Sequence, residues 1–278
     1  MPQVDKVLDY ILAALSRTGW QIAVVFGWIG LLALQLWCVS TLLRREGGGL
    51  LGKLYYYLVA PGVMCHETGH ALGCLVTGSK IVKFVPFNPK GDTLGYVEHE
   101  VRGGVLGWFS EFVIATGPVW FACALVPALA CIFAGIEFLP RSVDYVSGDG
   151  GFAAYAVGVF HAAWGMLCDV FKAGSWRSPW FVLALYLVFC ITSEATLSGS
   201  DLKSAWKGFV GIVFVLFVLN LIPVVAVHMH WFVALLEPWL FPIHAIMAFV
   251  LIVDIAFFVA MFVFHRAFAL VFRHRSGN

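Results

Sequence analysis

The chain has 278 residues, of which 61% are hydrophobic and only 12% are charged, and its mean hydropathy is +0.91. Apolar runs of about 20 residues recur along it, and each is long enough to cross a hydrocarbon core of about 30 Å. These features exclude an ordinary soluble domain. The net charge of +1 gives no electrostatic reason to expect a nucleic-acid partner. The composition predicts an all-α, polytopic integral membrane protein, because backbone polar groups in a bilayer must be satisfied within each helix.

The seven cysteines lie in or beside apolar segments. We therefore interpret them as small buried hydrophobic residues, and not as a disulfide framework or a thiolate metal site. No internal repeat or low-complexity segment divides the chain. A single integral-membrane domain is predicted over residues 1–278.

The N-terminal part predicts an interfacial helix followed by two membrane spans. Residues 1–19 form an amphipathic segment, whose apolar positions within 4–16 fall on one helix face. A first span is predicted at 20–43, and a glycine turn at 47–49 follows it. The second span, 53–77, contains Pro61, which predicts a kink or a new helix start.

Residues 79–107 differ in character from the spans around them. Valine, phenylalanine and tyrosine runs are separated by the turn-forming sequence at 88–92, which predicts a β-hairpin or a small sheet inserted after the second span. A third span is predicted at 108–136, with a break at Thr116-Gly117-Pro118. A polar linker at 137–150 follows.

The C-terminal half predicts three further spans and one ambiguous segment, so that the total is six or seven. The spans are placed at 179–197, 206–227 and 239–264, and residues 151–171 either cross the membrane or lie at its surface. The positive-inside rule places Arg44, Arg45 and the basic C-terminus in the cytoplasm. An odd number of spans satisfies this placement, which favours seven.

The second span carries the sequence Cys65-His66-Glu67-Thr68-Gly69-His70, which contains an H-E-x-x-H motif. Residues four apart lie on one helix face, so His66 and His70 can bind one ion. Two imidazoles suit Zn²⁺, and Glu67 is then predicted to be the general base on the zinc-bound water. Two histidines and a glutamate at membrane depth are costly without a function, which argues against a purely structural helix.

A zinc hydrolase needs a third protein ligand beside this pair and an open position for water. Asp201 stands out because the sequence Ser198-Gly199-Ser200 predicts a helix break before it. The other polar candidates at membrane depth are Glu111, His161, Asp169, Glu194, Asn220, His228 and Asp254.

The chain resembles the site-2 protease family of intramembrane zinc metalloproteases. The resemblance depends on the H-E-x-x-H motif within a span, the hairpin after it, Ala115-Thr116-Gly117-Pro118, and the later Asp201, and it covers roughly residues 54–230. It implies a helical membrane fold, a bound zinc ion and the hydrolysis of peptide bonds in membrane-spanning or membrane-associated substrates.

One motif departs from the family pattern, in which Asn-x-x-Pro is followed shortly by Asp-Gly. Here Asn220-Leu221-Ile222-Pro223 is present, but His228 holds the place of the aspartate. The third ligand is therefore predicted to be Asp201, with His228 as the alternative. Asn220 is predicted to bind the substrate backbone, or else to form a polar contact between helices.

Other function classes remain open at this level. A membrane metal transporter or channel would place ligands along several helices, and an inactive membrane scaffold could retain a zinc site. The expected partners are a membrane protein or peptide substrate and the lipid bilayer, and homo-oligomer formation stays open. The expected location is a prokaryotic cell membrane.

Overall fold

The computed structural model describes residues 2–90, 93–134, 151–173 and 178–275. It is 85% helical and contains a small two-stranded sheet. Five helices in the described residues are long and apolar enough to span a membrane, at Asp5–Leu51, Leu106–Phe133, Ala153–Lys172, Gly199–Asn220 and Pro238–Ala267. The predicted multi-pass helical architecture is confirmed at this level.

The elements follow one another from α1 to α9, with the strands between α4 and α5. Their bounds are α1 Pro2–Ile22, a π-helical turn Ala23–Gly27, α2 Trp28–Leu51, α3 Lys53–Leu58, α4 Ala60–Thr77, β1 Lys80–Val85, β2 Tyr96–Glu100, α5 Val105–Ala134, α6 Gly151–Ala173, α7 Pro179–Glu194, α8 Gly199–Asn220 and α9 Pro223–Arg275.

The N-terminal region is one helical rod rather than a short interfacial helix followed by a span. The π-helical turn joins α1 directly to α2, so the predicted boundary near residue 19 is absent. The glycine turn predicted at 47–49 is also wrong, because the helix continues to Leu51. Gly47 instead lets α2 pack closely: a Cβ atom there would lie 2.4 Å from the ring of Tyr55.

The predicted helix restart at Pro61 and the predicted hairpin are both confirmed. Pro61 lies in the first turn of α4, where its missing N–H would have no partner within the helix. β1 and β2 pair antiparallel, from Lys80 opposite Glu100 to Val85 opposite Tyr96. The hairpin therefore extends from the C-terminal end of α4 and returns to the start of α5.

Helix α5 contradicts the predicted break at Thr116-Gly117-Pro118. It continues through Pro118 and Pro127 to Ala134, because each proline removes only one internal hydrogen bond and the neighbouring helices hold the rod in place. The linker predicted at 137–150 lies outside the described residues. The ambiguous segment at 151–171 lies in α6, which is long enough to cross a membrane.

The boundaries predicted in the C-terminal half are displaced. Ser198 is the N-cap of α8, so Gly199 and Ser200, which were predicted to break the helix, lie in its first turn. Helix α8 ends at Asn220, and Pro223 begins α9, which continues past Pro238 and Pro242. The span predicted at 206–227 therefore crosses the boundary between α8 and α9, and the span predicted at 239–264 is part of the longer helix α9.

The main apolar core contains residues from α2, α5, α6, α7 and α9, and includes Leu36, Val126, Val159, Ile191 and Met247. Helix α4 packs against α5 on one side and α7 on another. The motif helix thus has two neighbouring helices that can support its side chains.

Candidate metal centre

Three side chains from two helices converge at one point. His66 and His70 lie one turn apart on α4, and their Nε2 atoms are 3.2 Å apart. Asp201 of α8 places Oδ1 3.3 Å from His70 Nε2 and Oδ2 3.6 Å from His66 Nε2. The potential ligand atoms of this triad all lie within 4.8 Å of one another.

Main-chain carbonyl groups orient both imidazole rings. His66 Nδ1 lies 2.8 Å from the carbonyl oxygen of Glu194, and His70 Nδ1 lies 2.8 Å from that of Ile114. A carbonyl oxygen can only accept, so each Nδ1 carries the hydrogen and donates it. In a neutral ring, Nε2 is then left with a free lone pair, which is the state that binds a metal.

The converging atoms form a donor set that needs a positive charge between them. Two lone-pair nitrogens and a carboxylate meet within about one ligand sphere, and none of these atoms carries a hydrogen in this tautomer. Such acceptors repel one another unless a proton or a cation lies between them. The residues present therefore fit a small metal ion with nitrogen and oxygen ligands.

Glycine residues permit the close approach of α4 and α5 that supports His70. A Cβ atom on Gly73 would lie 2.8 Å from Ile114 Cα, and one on Gly117 would lie 2.4 Å from the Gly69 carbonyl oxygen. These separations leave no room for a side chain. Because Gly73 and Gly117 have no side chains, α4 and α5 can approach closely enough for the Ile114 carbonyl to lie within hydrogen-bond distance of His70.

A second close contact supports His66 from α7. A Cβ atom on Gly62 would lie 1.8 Å from the Cys190 carbonyl oxygen. Glu194, the last residue of α7, is buried and its side chain lies 3.7 Å from the Arg44 guanidinium, which also donates to Thr196 Oγ1 at 3.1 Å. Arg44 of α2 thus stabilises the end of α7, and this keeps the Glu194 carbonyl beside His66 Nδ1.

Asp201 reaches the histidines from a helical position. Ser198 Oγ accepts from Asp201 N at 3.2 Å, and Asp201 Oδ2 accepts from Ser198 N at 2.8 Å, which forms a capping box. The break predicted before Asp201 is present, but it lies at 195–198 between α7 and α8, and Gly199, Ser200 and Asp201 already belong to the first turn of α8. The N-terminus of α8 itself points at the site, and the close packing of Gly208 against Trp108 and Phe112 of α5 brings it there.

Glu67 lies beside the triad in a cavity of about 450 Å³. Glu67 is only 7% exposed. The loop before β2 covers it closely, because a Cβ atom on Gly95 would lie 2.7 Å from Glu67 Cγ. The cavity is further lined by the start of β2, including Tyr96, Val97 and His99. The same cavity is thus lined by the buried carboxylate of Glu67, by the triad and by strand β2.

The other polar residues that the sequence analysis considered take different places. Glu111 and Glu194 line the cavity but stand outside the triad. His161 and Asp169 lie on α6, with Asp169 paired to Lys172, and Asp254 is fully buried on α9. His228 lies in α9, but its side chain is outside the described part of the chain.

Asn220 is not brought to the cavity. It is fully buried at the end of α8, where its Nδ2 donates to Thr18 Oγ1 at 3.0 Å and to Gln21 Oε1 at 2.9 Å. In this arrangement the side chain joins α8 to α1, which is the helix-contact alternative. Its predicted part in substrate binding has no support from this position.

Three supporting features escaped the sequence analysis. The sequence marks Arg44 only as a topology signal, and it gives His99 no motif. The free carbonyl of Ile114 does have a sequence signal, because Pro118, four residues later, has no N–H to donate to it. The spacing of Gly62, Gly69 and Gly73 along the motif helix was the available signal for close helix packing.

Searches against protein-family models, curated proteins and solved structures gave no match. Functional interpretation therefore depends on the residues of the cavity alone.

Proposed function

We propose that the chain is an intramembrane zinc metalloprotease and a divergent member of the site-2 protease family. The observation that carries the proposal is the convergence of His66, His70 and Asp201 beside Glu67 in one cavity. Two histidines and a carboxylate with a nearby free carboxylate are the residue set of hydrolytic zinc sites.

The separations of the ligand atoms support zinc as the ion. Zinc–nitrogen and zinc–oxygen bonds of about 2.0–2.2 Å in tetrahedral geometry place neighbouring ligand atoms roughly 3.3–3.6 Å apart. The two Nε2 atoms are 3.2 Å apart, which is close to this spacing. Asp201 approaches each nitrogen through a different oxygen, with Oδ1 3.3 Å from His70 Nε2 and Oδ2 3.6 Å from His66 Nε2. When bound, zinc supplies Lewis-acid chemistry, since it polarises a carbonyl group and makes water acidic enough to ionise near neutral pH.

The side chains of the protein then divide the remaining work. Glu67 accepts a proton from the attacking water and transfers it to the nitrogen of the leaving amine as the peptide bond breaks. The buried position of Glu67 under the loop at Gly95 limits access of bulk water to that proton. His66 and His70 keep their Nδ1 hydrogens on carbonyl groups, so their rings stay fixed during the reaction.

An extended substrate segment fits the open edge of the hairpin. β1 occupies one edge of β2, and residues of β2 line the cavity. A substrate strand that pairs with the other edge presents its carbonyl groups free of helical hydrogen bonds, as hydrolysis requires. The substrate is a membrane-spanning or membrane-associated protein or peptide.

The same proposal covers the finer topology. Helices α4 and α7 are short, but with the five longer helices they make seven membrane segments. The positive-inside rule places Arg44 and the basic C-terminus on the cytoplasmic side of a prokaryotic cell membrane. With seven segments, the N-terminus then lies outside. Reporter fusions at the C-terminus test this arrangement, and an external C-terminus would contradict it.

The decisive experiment measures zinc content and proteolysis in the same purified preparations. We expect about one zinc per wild-type chain, loss of zinc in His66→Ala, His70→Ala and Asp201→Asn, and retained zinc without turnover in Glu67→Gln. Glu98→Gln on the exposed face of β2 is the matched control and should keep both properties.

The outcomes separate the competing functions. A wild-type protein that binds zinc but never cleaves a peptide would favour an inactive scaffold. Zinc transport into vesicles that depends on the triad would favour a transporter. Near-normal turnover in Glu67→Gln would remove the catalytic assignment. Retained zinc in Asp201→Asn together with its loss in His228→Ala would move the third ligand to His228.

A further inference from the structure

A second pair of polar side chains lies in the same cavity, outside the triad. Glu111 of α5 and His99 of β2 both line it, with His99 Nε2 3.8 Å from Glu111 Oε2. Their side chains are 27% and 21% exposed, respectively, so both remain accessible from the cavity. The mechanism proposed above gives neither residue a task.

Among the residues that the structure describes, Glu111 forms no ion pair with a lysine or an arginine. Four carboxylates line the cavity in the described residues: Glu67, Glu111, Glu194 and Asp201. Asp201 faces two histidines, and Glu194 faces Arg44, which is the one lysine or arginine on the cavity wall as described. The ion-pair partner of Glu111 is His99, which carries a charge only when protonated.

A partly shielded carboxylate of this kind selects for positive charge. Removing it from water costs free energy that a cationic partner offsets, whereas an anionic or bulky apolar partner adds to the cost. The imidazole of His99 supplies a polar wall beside it. An ammonium or guanidinium group is therefore the chemistry that this part of the cavity accepts.

The hairpin geometry places such a group on the substrate. Along β2, Val97 and His99 share one face and are partly buried, whereas Glu98 and Glu100 are exposed on the other face. A strand added to the open edge of β2 lies about 4.8 Å away and repeats this alternation. Its side chain next to His99 therefore points toward α5, where Glu111 lies.

We propose that Glu111 and His99 form a subsite that accepts a lysine or arginine side chain of the substrate close to the scissile bond. This inference rests on the proposed proteolytic function and adds its substrate class: a segment with a basic residue beside the cleaved bond. The long apolar stem of either side chain packs along the cavity while the charged end meets Glu111.

The first test measures binding without turnover. Fluorescent peptides that carry Lys, norleucine or Glu, scanned through positions along one extended sequence, are titrated into zinc-loaded Glu67→Gln protein in detergent. At one position we expect Lys to bind about tenfold more tightly than norleucine, and Glu to bind most weakly. Glu111→Gln in the same background should reduce the Lys preference to less than about twofold, and Glu111→Lys should reverse it in favour of Glu.

Two further variants keep the test specific. Glu98→Gln removes the same charge from the exposed face of β2 and should leave the Lys preference intact. Zinc content and the thermal unfolding midpoint of each Glu111 variant show whether its fold is kept. His99→Asn retains a polar group and should leave the Lys preference in place while lowering its size.

The possible results separate this inference from the proposed function. Equal binding of Lys and norleucine peptides at every position, or a Lys preference that survives Glu111→Gln, overturns the subsite. Charge-selective binding combined with no cleavage by the wild-type protein supports the subsite and contradicts the protease. Cleavage sites flanked by a basic residue in a peptide library, with that preference lost in Glu111→Gln, support both.

Discussion

The two histidines of the motif are held by different parts of the molecule. Ile114, whose carbonyl accepts from His70, lies in the interior of the continuous helix α5. Glu194, whose carbonyl accepts from His66, is the final residue of α7. Pro118 leaves the Ile114 carbonyl without its helical donor, but α5 continues on both sides of Ile114, whereas a helix end frays unless other groups hold it.

The side of the site around His66 therefore depends on an ion pair, and the side around His70 depends on packing alone. Arg44 binds the last turn of α7 through Glu194 and Thr196. The contact between α4 and α5 needs only glycines at 69, 73 and 117. The two histidines thus need not be equally sensitive to the same kind of substitution.

The largest effects should come from filling the glycine contacts. Gly62→Ala places a Cβ atom 1.8 Å from the Cys190 carbonyl oxygen, and Gly73→Ala places one 2.8 Å from Ile114 Cα. We expect both variants to lose about 1–3 kcal/mol of stability or more, because backbone atoms must move. Zinc affinity should fall roughly 10- to 100-fold in each as the orienting carbonyl shifts.

Gly165→Ala on α6 is the matched control, because nothing lies within 4 Å of the Cβ atom that it adds. It should unfold at or slightly above the wild-type temperature. Thermal unfolding and competition with a chelator measure the two quantities. Wild-type zinc affinity in Gly62→Ala would mean that the contact between α4 and α7 does not set the His66 position.

The next effect should separate the two histidines. Arg44→Gln removes the partner of the buried Glu194 carboxylate and loosens the end of α7. We expect about tenfold weaker zinc binding, with the loss confined to the hydrogen bond of His66. Nuclear magnetic resonance of labelled histidine should show a changed Nδ1 signal for His66 and an unchanged one for His70.

Arg45→Gln, at the exposed neighbouring position, provides the control for loss of charge. Equal changes in both histidine signals, or equal effects of the two arginine variants, would contradict the separate support of His66.

Asn220 lies away from both histidines, so its substitution should change the stability of the protein but not its zinc content. Asn220→Ala leaves Thr18 and Gln21 of α1 without their buried partner. We expect a loss of about 1–3 kcal/mol of stability, with zinc content unchanged. A normal unfolding midpoint combined with a raised KM would instead restore the substrate-binding role that the sequence predicted for Asn220.

The smallest effect should follow from Ser198→Ala. This change removes the side-chain half of the capping box that holds Asp201. We expect about 1 kcal/mol less stability and a zinc affinity lowered only a few-fold, because the backbone N–H of residue 198 still donates to Asp201 Oδ2. Lys203→Ala in the same helix serves as the control, and an equal loss there would show that the cap is irrelevant to Asp201.

Local patterns in the sequence predicted several features correctly. The helix restart at Pro61 and the hairpin after α4 follow from residues close together in the chain, because proline and turn residues restrict the backbone directly. The breaks predicted at 47–49 and at 116–118 were wrong for a related reason. Glycine and proline permit a break, but packing of the neighbouring helices decides whether one forms.

The sequence by itself determined the membrane class of the protein and the pairing of His66 with His70, because both depend on composition or on helical spacing. Only the tertiary structure decided which distant polar residue joins that pair. Asp201 is separated from His70 by more than one hundred positions, and the packing of Gly208 on α5 brings it there. Pro118 leaves the Ile114 carbonyl without its helical N–H partner, and Glu194 ends α7, so the sequence marks both carbonyl groups as free. Only the tertiary structure decided that each one meets an imidazole, because that requires close contact between helices.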